Sequence, residues 1–146
     1  SGLGARLLSN DEEVIPVRGQ VVYIKQDPGF GRYDQRPESL TYTIPRRDVT
    51  VLGGTAQKGD WDETIRKKDT EDILSKCEVF WPDLDRQNIV GSAVGLRPSR
   101  YELRLELEII NNKKVIHNYG HGGAGVTLSW GCADEVVKLV KVNKLI

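Results

Sequence analysis

Four glycines fall within the six residues from Gly120 to Gly125, between a segment that predicts a strand and one that predicts a helix. Because glycine has no β-carbon, the backbone of such a turn can approach a flat or anionic ligand closely. The unpaired amides of the following helix and the positive end of its dipole then favour phosphate or a negatively polarised ring. No Lys-Ser or Lys-Thr pair follows, so the turn is not a P-loop. It indicates a ligand site, with a purely structural turn as the alternative.

The segments on either side of this turn have clear patterns. Residues 113–118 predict a strand, and residues 126–142 predict a helix because apolar side chains recur there at helical spacing. The apolar stripe of that helix consists of Val126, Leu128, Cys132, Val136, Leu139 and Val140.

The preceding residues are rich in β-branched and aromatic types that alternate with polar turns, which indicates a sheet. The hydrophobic pattern and the turn at 45–48 favour a hairpin in the middle of it. The predicted strands span residues 17–25, 40–44, 49–52, 89–95 and 103–110. We therefore expect an α+β fold, with a mixed, mainly antiparallel β-sheet and flanking helices, ending in the glycine-rich turn and a carboxy-terminal helix.

A loop and a helix complete this outline. Residues 27–39 contain prolines and glycines among charges and predict an irregular, mobile surface loop that could serve as a lid. Residues 69–80 predict a helix, because Ile73, Leu74, Cys77 and Phe80 recur at helical spacing. Asp69 and Thr70 form its predicted cap and Pro82 its end.

The composition excludes several classes of protein. Lysine plus arginine and aspartate plus glutamate both number 21, so the net charge is zero and no long-range field attracts nucleic acid. No apolar run is long enough for a membrane span and no secretory signal opens the chain, so we expect an intracellular protein. Cys77 and Cys132 lie in predicted helices and are expected to be reduced, buried thiols. The 146 residues contain no methionine, which suggests a fragment or a processed product.

Arg97 and Tyr42 are candidate binding residues outside the turn. Arg97 follows a predicted strand, where its planar guanidinium suits a carboxylate, although an arginine there is more often a solvated strand end. Tyr42 shares a strand face with Leu40 and Ile44, and such a tyrosine usually serves packing.

Metal and hydrolytic sites are not indicated. His117 and His121 are four residues apart, but no cysteine or carboxylate nearby completes a ligand set. No Gly-x-Ser-x-Gly elbow is present, and neither histidine has an evident nucleophile beside it. Asp60 lies in a predicted loop, where an acid usually caps or turns the backbone.

Six short motifs follow one another in a recognisable order. They are Arg-Gly-Gln at 18–20, Leu-Thr-Tyr-Thr-Ile-Pro at 40–45, Val-Leu-Gly-Gly-Thr at 51–55, Gln-Lys-Gly-Asp-Trp at 57–61, Gly-Leu-Arg-Pro at 95–98 and His-Asn-Tyr-Gly-His-Gly-Gly at 117–123. In this order they resemble the D-amino-acid oxidase and D-aspartate oxidase family. The last motif, continuing to Trp-Gly-Cys-Ala at 130–133, is the most specific. The resemblance covers essentially the whole chain, as the carboxy-terminal part of such an enzyme.

The resemblance implies a domain division and a cofactor. Residues 1–16 would connect from an FAD-binding domain, residues 17–112 would form the substrate-binding β-sheet domain, and residues 113–146 would return to the FAD-binding domain. The implied cofactor is FAD. The family's amino-terminal half, which supplies the opening glycine motif and much of the adenine and pyrophosphate site, is missing and is therefore an implied partner.

The resemblance also assigns site residues. Arg97 matches the arginine that binds the substrate carboxylate, Tyr42 matches the tyrosine that supports it, and Gly123 matches a backbone carbonyl that receives the amino group. The flavin-contacting turn is matched by Gly122, Gly123, Ala124, Gly125, Val126 and Thr127.

Two departures from the family bear on the substrate. Glu38 and Ser39 occupy the place of a second pocket tyrosine, for which Tyr33 is a substitute. In the aspartate-specific branch an arginine precedes the Gln-Lys-Gly-Asp-Trp motif and a serine follows the Gly-His-Gly start, but here these positions are Ala56 and Gly123. We therefore expect neutral D-amino acids to be preferred.

The implied reaction is oxidation of a D-amino acid by hydride transfer to flavin and then oxygen, giving a 2-oxo acid, ammonia and hydrogen peroxide, with the protein chiefly positioning the substrate. The alternatives are a D-aspartate-preferring oxidase, a glycine or sarcosine oxidase, and a non-catalytic truncated remnant. A homodimer is compatible with the family. So is a peroxisomal location, although residues 144–146 do not form a Ser-Lys-Leu type of address.

Overall fold

The structure is a computed structural model that describes residues 1–34, 36 and 39–144. Its contacts divide the chain into two compact units. Unit 1 comprises Ser1–Val17 and Arg97–Ile146, and unit 2 comprises Arg18–Leu96. The functional division into substrate and flavin domains stays a prediction.

The elements confirm the expected α+β class, with an antiparallel sheet and a carboxy-terminal helix. In chain order they are α1 (Ala5–Leu8), β1 (Ile15–Ile24), β2 (Arg32–Asp34), β3 (Thr41–Pro45), β4 (Thr50–Gly53), β5 (Gln57–Lys58), α2 (Lys67–Glu78), β6 (Ile89–Ile110), β7 (Lys113–His121) and α3 (Gly125–Val142). Single 3-10 turns lie at Gly2–Gly4, Arg86–Asn88 and Gly122–Ala124.

Unit 2 is a sheet covered by α2. Its strands follow the order β2-β3-β4-β1, all antiparallel, and β5 pairs with β1. The predicted hairpin is confirmed as β3 and β4, which pair Thr43 with Leu52. The predicted apolar stripe of α2 is also confirmed, because Ile73, Leu74 and Cys77 are buried. The core of the unit consists of Val22, Ile24, Leu52, Ile73, Leu74, Cys77, Trp81 and Leu84.

Arg18 lies at the centre of a buried polar network in unit 2. Arg18 is 0% exposed to solvent, and its guanidinium makes five hydrogen bonds. The accepting atoms are the carbonyl oxygens of Asp62 and Thr64, Gln57 Oε1, Gln20 Oε1 and Asp69 Oδ2. The distance from Arg18 Nη1 to Asp69 Oδ2 is 2.7 Å. One side chain thus joins β1, β5, the loop before α2 and α2 itself.

The predicted cap of α2 is wrong. The helix begins at Lys67, its N-cap residue is Arg66, and Asp69 is buried beside Arg18. No side-chain hydrogen bond caps the helix. Gln20 instead holds the N-cap residue in place, because its Oε1 accepts from the Arg66 amide at 2.9 Å and its Nε2 donates to the Arg66 carbonyl.

Two strand predictions also need correction. Residues 32–34 were expected to be irregular, yet they form β2 and pair with β3, since pairing with a neighbouring strand satisfies their backbone without any local pattern. The predicted break between 95 and 103 is absent, because β6 runs through Pro98 with a register shift between Ser99 and Arg104. A proline is tolerated at such an irregularity because it lacks only one donor.

Unit 1 contains the hairpin of β6 with β7 and helices α1 and α3. The two strands pair from Arg104 opposite Tyr119 to Ile110 opposite Lys113. A small core contains Ala5, Val14 and Tyr119, with Leu3 packed against it. In the described part of the chain, no helix is long and apolar enough to cross a membrane.

The helix that follows the glycine-rich turn is confirmed, and little of its apolar stripe is buried. Only Cys132 is buried in α3. Val126 is 90% exposed and Trp130 is 87% exposed. A helical period locates an apolar face, but it does not show that unit 1 supplies a surface to cover it.

We expect Arg18→Met to lower the free energy of unfolding by about 3–5 kcal/mol, because Asp69 would stay buried without its cation. Urea unfolding of the chain measures this. Arg86→Met is the matched control, since Arg86 is also an ion-paired arginine, with Glu71 and Glu78 as partners, but its side chain is 41% exposed. Its loss should be much smaller because solvent replaces the pair. Equal losses in the two variants would contradict the central role of Arg18.

Candidate functional site

The glycine-rich turn lies against the strand that carries Arg97, and both belong to unit 1. Ser99 on β6 pairs with His121 at the end of β7. A Cβ atom placed on Gly123 would lie 3.2 Å from Arg97 Cδ. The structure therefore brings together Arg97 and Gly123, the two residues expected to bind opposite ends of one substrate.

The turn itself ends in a helix terminus that no side chain caps. Strand β7 ends at His121, the 3-10 turn Gly122–Ala124 follows, and α3 begins at Gly125. Its N-cap residue Ala124 makes no side-chain hydrogen bond to the helix, and its first turn contains no acidic residue. Gly120 and Gly122 have φ values of 87° and 56°, a region that favours glycine. This geometry fits the predicted site for a flat or anionic group.

Tyr42 lies in unit 2, where its ring packs on a pair of glycines. Tyr42 on β3 is opposite Gly53 on β4. A Cβ on Gly53 would lie 2.0 Å from Tyr42 Cζ, and one on Gly54 would lie 2.7 Å from the Tyr42 hydroxyl oxygen. The glycine pair was expected only to end a strand, so its role as a seat for the ring is a finding of the structure.

Tyr33 is the cross-strand neighbour of Tyr42. It lies directly opposite on β2, and the two ring centroids are 5.7 Å apart at an interplanar angle of 42°. Tyr33 is 57% exposed, whereas Tyr42 is 9% exposed. The structure thus brings the two candidate tyrosines together in unit 2. Of the residues that occupy the family's usual position for the second tyrosine, Glu38 is outside the described residues.

The two histidines have separate partners. His117 is 4% exposed, and its Nε2 lies 2.8 Å from Glu108 Oε2. His121 Nε2 lies 3.3 Å from Cys132 Sγ. The hydrogen bond to His117, with help from Arg104, lowers the pKa of Glu108. Among the described contacts, the two histidines therefore bind different side chains, Glu108 and Cys132.

The other candidate polar groups have structural roles. Asp60 Oδ1 accepts from the Asp62 amide, which confirms the expected backbone turn, and Arg66 holds the pKa of Asp60 below its usual value. Both cysteines are free and buried, as predicted. Burial raises the pKa of the Cys77 thiol to about 12, so this thiol stays protonated at neutral pH.

Sequence reasoning missed Asp11 and Tyr119, which lie beside the glycine-rich turn. The Tyr119 hydroxyl donates to Asp11 Oδ2 at 2.8 Å, across 108 residues of sequence. Both residues are buried. No local pattern marks an isolated aspartate near the start of the chain as the partner of this tyrosine.

In unit 1, an arginine thus lies against a glycine-rich turn that leads into a helix terminus without a side-chain cap. A sequence model described as FAD dependent oxidoreductase matches residues 1–139. The chain belongs to this family of FAD-dependent oxidoreductases, which confirms the resemblance seen in its motifs.

Individual relatives show which members of this family the chain is similar to. The chain is 47% identical over 144 residues to a D-amino-acid oxidase of Dictyostelium discoideum, covering 96% of this chain and 41% of the relative. It is 39% identical to the human D-aspartate oxidase, covering 96% of this chain and 42% of the relative. The chain therefore spans about four tenths of the length of these relatives.

A solved structure shares the fold. The glycine oxidase of Geobacillus kaustophilus superimposes with a TM-score of 0.78, over 97% of this chain and 40% of that one. The sequence identity is 22%, so this likeness shows the fold alone.

We expect Gly53→Ala to destabilise the chain by about 1–3 kcal/mol, because the added methyl group overlaps the Tyr42 ring and must displace it. Urea unfolding gives the energy, and near-ultraviolet circular dichroism reports the tyrosine environment. Gly91→Ala is the control, since no atom lies within 4 Å of a Cβ there. A Gly53 variant as stable as the Gly91 variant would show that the ring is not seated on the glycine pair.

Proposed function

We propose that this chain forms the substrate-binding and flavin-contacting part of an FAD-dependent D-amino-acid oxidase. The proposal rests on one observation. Arg97 lies close to Gly123, which belongs to the turn that leads into α3. An α-amino acid presents a carboxylate and an amino group on one carbon. A guanidinium beside a backbone carbonyl is complementary to that pair of groups.

Each site residue has a distinct role in this proposal. Arg97 binds the substrate carboxylate, and the Gly123 carbonyl accepts a hydrogen bond from the amino group. Tyr42 supports the carboxylate through its hydroxyl. Tyr33 serves as the second pocket tyrosine, which its position opposite Tyr42 and its exposed ring support. Arg97 and Gly123 together orient the α-carbon, so that catalysis rests on positioning.

The residues that would hold the flavin ring of FAD form the turn and the start of α3. They are Gly122, Gly123, Ala124, Gly125, Val126 and Thr127. The positive φ of Gly122 and the uncapped amides of α3 fit a flat ring that becomes negatively charged. When bound, FAD accepts a hydride from the substrate α-carbon and passes the electrons to oxygen.

The proposal requires a partner. This partner is the amino-terminal portion that the relatives have in addition to the region matched by this chain. The first half of α3 supports it, since Val126 and Trp130 are exposed there and residues 115–133 contain no lysine, arginine, aspartate or glutamate. A helix without charges on any side is normally covered by protein. The opposing candidate is a remnant that neither binds flavin nor acts on a substrate. The homodimer and the peroxisomal location stay predictions.

The function is tested by joining this chain behind the amino-terminal portion of the Dictyostelium relative. We expect the joined protein to be yellow with bound FAD and to produce hydrogen peroxide from D-alanine. The isolated chain should give little or no peroxide, because a partial site loses the fixed orientation of the ring. Robust peroxide from the isolated chain would contradict the required partner. Flavin absorbance without any oxidation of D-amino acids would contradict the oxidase itself.

In the joined protein, Arg97→Ala should lower kcat/KM by an amount that corresponds to about 3–5 kcal/mol, since a desolvated charge pair loses one member. Tyr42→Phe should cost less, about 0.5–3 kcal/mol, because it removes one hydrogen bond and keeps the ring. Tyr101→Phe is a control at a residue that is 96% exposed and should have no effect. Steady-state kinetics with the opposite ranking would contradict the assignment of Arg97 as the main carboxylate-binding residue.

The final expectation concerns substrate choice, which the human D-aspartate oxidase relative makes a real alternative. Neither Ala56 nor Gly123 has a side chain that can donate to a second carboxylate. Arg32 is engaged elsewhere, because its guanidinium lies 4.6 Å from the centroid of the Phe80 ring. It also alternates with Tyr33 along β2, so the two side chains lie on opposite faces of the sheet. Lys25, which directly follows β1, is exposed and remains a candidate cation for a second substrate carboxylate.

The joined protein should therefore have a higher kcat/KM for D-alanine than for D-aspartate, because burying an unpaired carboxylate is costly. Ala56→Arg should raise the kcat/KM for D-aspartate relative to that for D-alanine. A clear advantage for D-aspartate in the unmodified protein would contradict the neutral preference, and Lys25→Ala would then show whether that cation supplies it.

A further inference from the structure

Strand β6 and the glycine-rich turn approach each other at three successive pairs of residues, each of which forms one level of the contact. A Cβ on Gly123 would lie 3.2 Å from Arg97 Cδ, and one on Gly122 would lie 3.4 Å from Ser99 Oγ. At the third level, a Cβ on Gly120 would lie 2.8 Å from Arg100 Cβ, closer than real Cβ contacts allow. The distance between Arg97 and the turn is therefore tied to the way in which Arg100 is held beside Gly120.

One buried carboxylate oxygen holds both sides of this third level. Asp11 Oδ2 accepts from Arg100 Nε at 3.0 Å and from the Tyr119 hydroxyl at 2.8 Å. Tyr119 precedes Gly120 directly, and Arg100 belongs to the strand opposite. Asp11 is 8% exposed and Tyr119 is 5% exposed, so water does not compete freely for these bonds. Arg104 Nη1 also donates to the Tyr119 hydroxyl, at 2.9 Å, which fixes the direction of its proton toward Asp11.

We propose that Asp11, Tyr119 and Arg100 are positioning residues that fix the separation between the Arg97 guanidinium and the Gly123 carbonyl. They thereby favour α-amino acids over carboxylates that lack an amino group. The inference rests on the proposed function, in which these two groups bind the two ends of one substrate. A ligand held at two points requires a set separation, and a misplacement of about 1 Å can cost on the order of a hundredfold in rate. A ligand held only through its carboxylate does not depend on that separation.

The positioning cluster stays charged over the range in which an oxidase works. Burial raises the pKa of Asp11, but the hydrogen bonds from Tyr119, the Glu13 amide and Arg100 outweigh it and hold the pKa below its ordinary value of 3.8. The contribution of Asp11 to the cluster is therefore present above that value and is lost only as the pH falls through the lowered pKa. The other charged groups that face it are Arg100, Arg104 and Glu13.

Glu13 provides an internal comparison, because it binds the same guanidinium without being buried. Its Oε2 lies 2.9 Å from Arg100 Nη2, but its side chain is 65% exposed, against 7% for Asp11. Solvent can replace Glu13, whereas nothing else among the described residues accepts from Arg100 Nε and the Tyr119 hydroxyl together. A comparison of Asp11 and Glu13 variants therefore distinguishes a positioning role from a simple charge pair.

The test uses the joined, FAD-loaded protein with D-alanine and with propionate, which is D-alanine without its amino group. We expect Asp11→Asn and Tyr119→Phe to lower kcat/KM for D-alanine by about tenfold or more, the order that misplacement produces. The inhibition constant of propionate should change less than about twofold, as one unaltered carboxylate contact requires. Glu13→Gln should change neither value. Tyr119→Phe keeps the packed ring, so it remains informative if the Asp11 variant fails to fold.

Two results would overturn the inference. Equal losses for D-alanine and propionate would show general damage, and unchanged D-alanine kinetics in both variants would show that the cluster does not position the site. Failure of the proposed function gives a different result, because the unmodified protein would then not oxidise D-alanine.

Discussion

Arg18 places a full positive charge in the interior of unit 2, and the surrounding structure is arranged to satisfy it. A buried guanidinium is tolerable only when a carboxylate and several acceptors surround it, because desolvation of an unpaired charge is costly. Here the acceptors come from β1, β5, the loop before α2 and α2. None of these elements can shift alone without leaving a buried group unpaired. The helix in turn supplies Ile73 and Leu74 to the core that covers the sheet.

The sheet that this network holds has two different faces. On one, Leu52 packs under α2. On the other, Tyr42 lies over Gly53 and Gly54, where any side chain would collide with the ring. Unit 1 uses the same device, since Gly120 and Gly123 let the turn approach β6 more closely than side chains would permit. In each unit, glycines without side chains permit these close approaches.

The sequence predicted what depends on local pattern. The β3 and β4 hairpin, the buried stripe of α2 and the presence of α3 follow from periodicity and turn residues. The family motifs also pointed to Arg97 and Gly123, which the structure brings together. Contacts between distant residues carry no such signal. Asp69 was taken for a helix cap because its position suits one, but its partner Arg18 lies 51 residues earlier.

The exposed first half of α3 links the cofactor to the missing partner. Cys132 is the first buried residue of the helix, and beyond it the backbone carbonyl of Asn143 accepts from Lys114 Nζ at 2.9 Å. Between Gly125 and Cys132, no residue of the helix is buried within the described chain. An isolated helix of this length is marginal in water, so its first turns depend on a covering surface. In the proposed oxidase, a partner that covers Val126 and Trp130 would also order the turn, and FAD bound at the turn would order the surface that the partner contacts. Association of the amino-terminal portion and binding of FAD would then strengthen each other by the same factor, because coupling between two binding events is reciprocal.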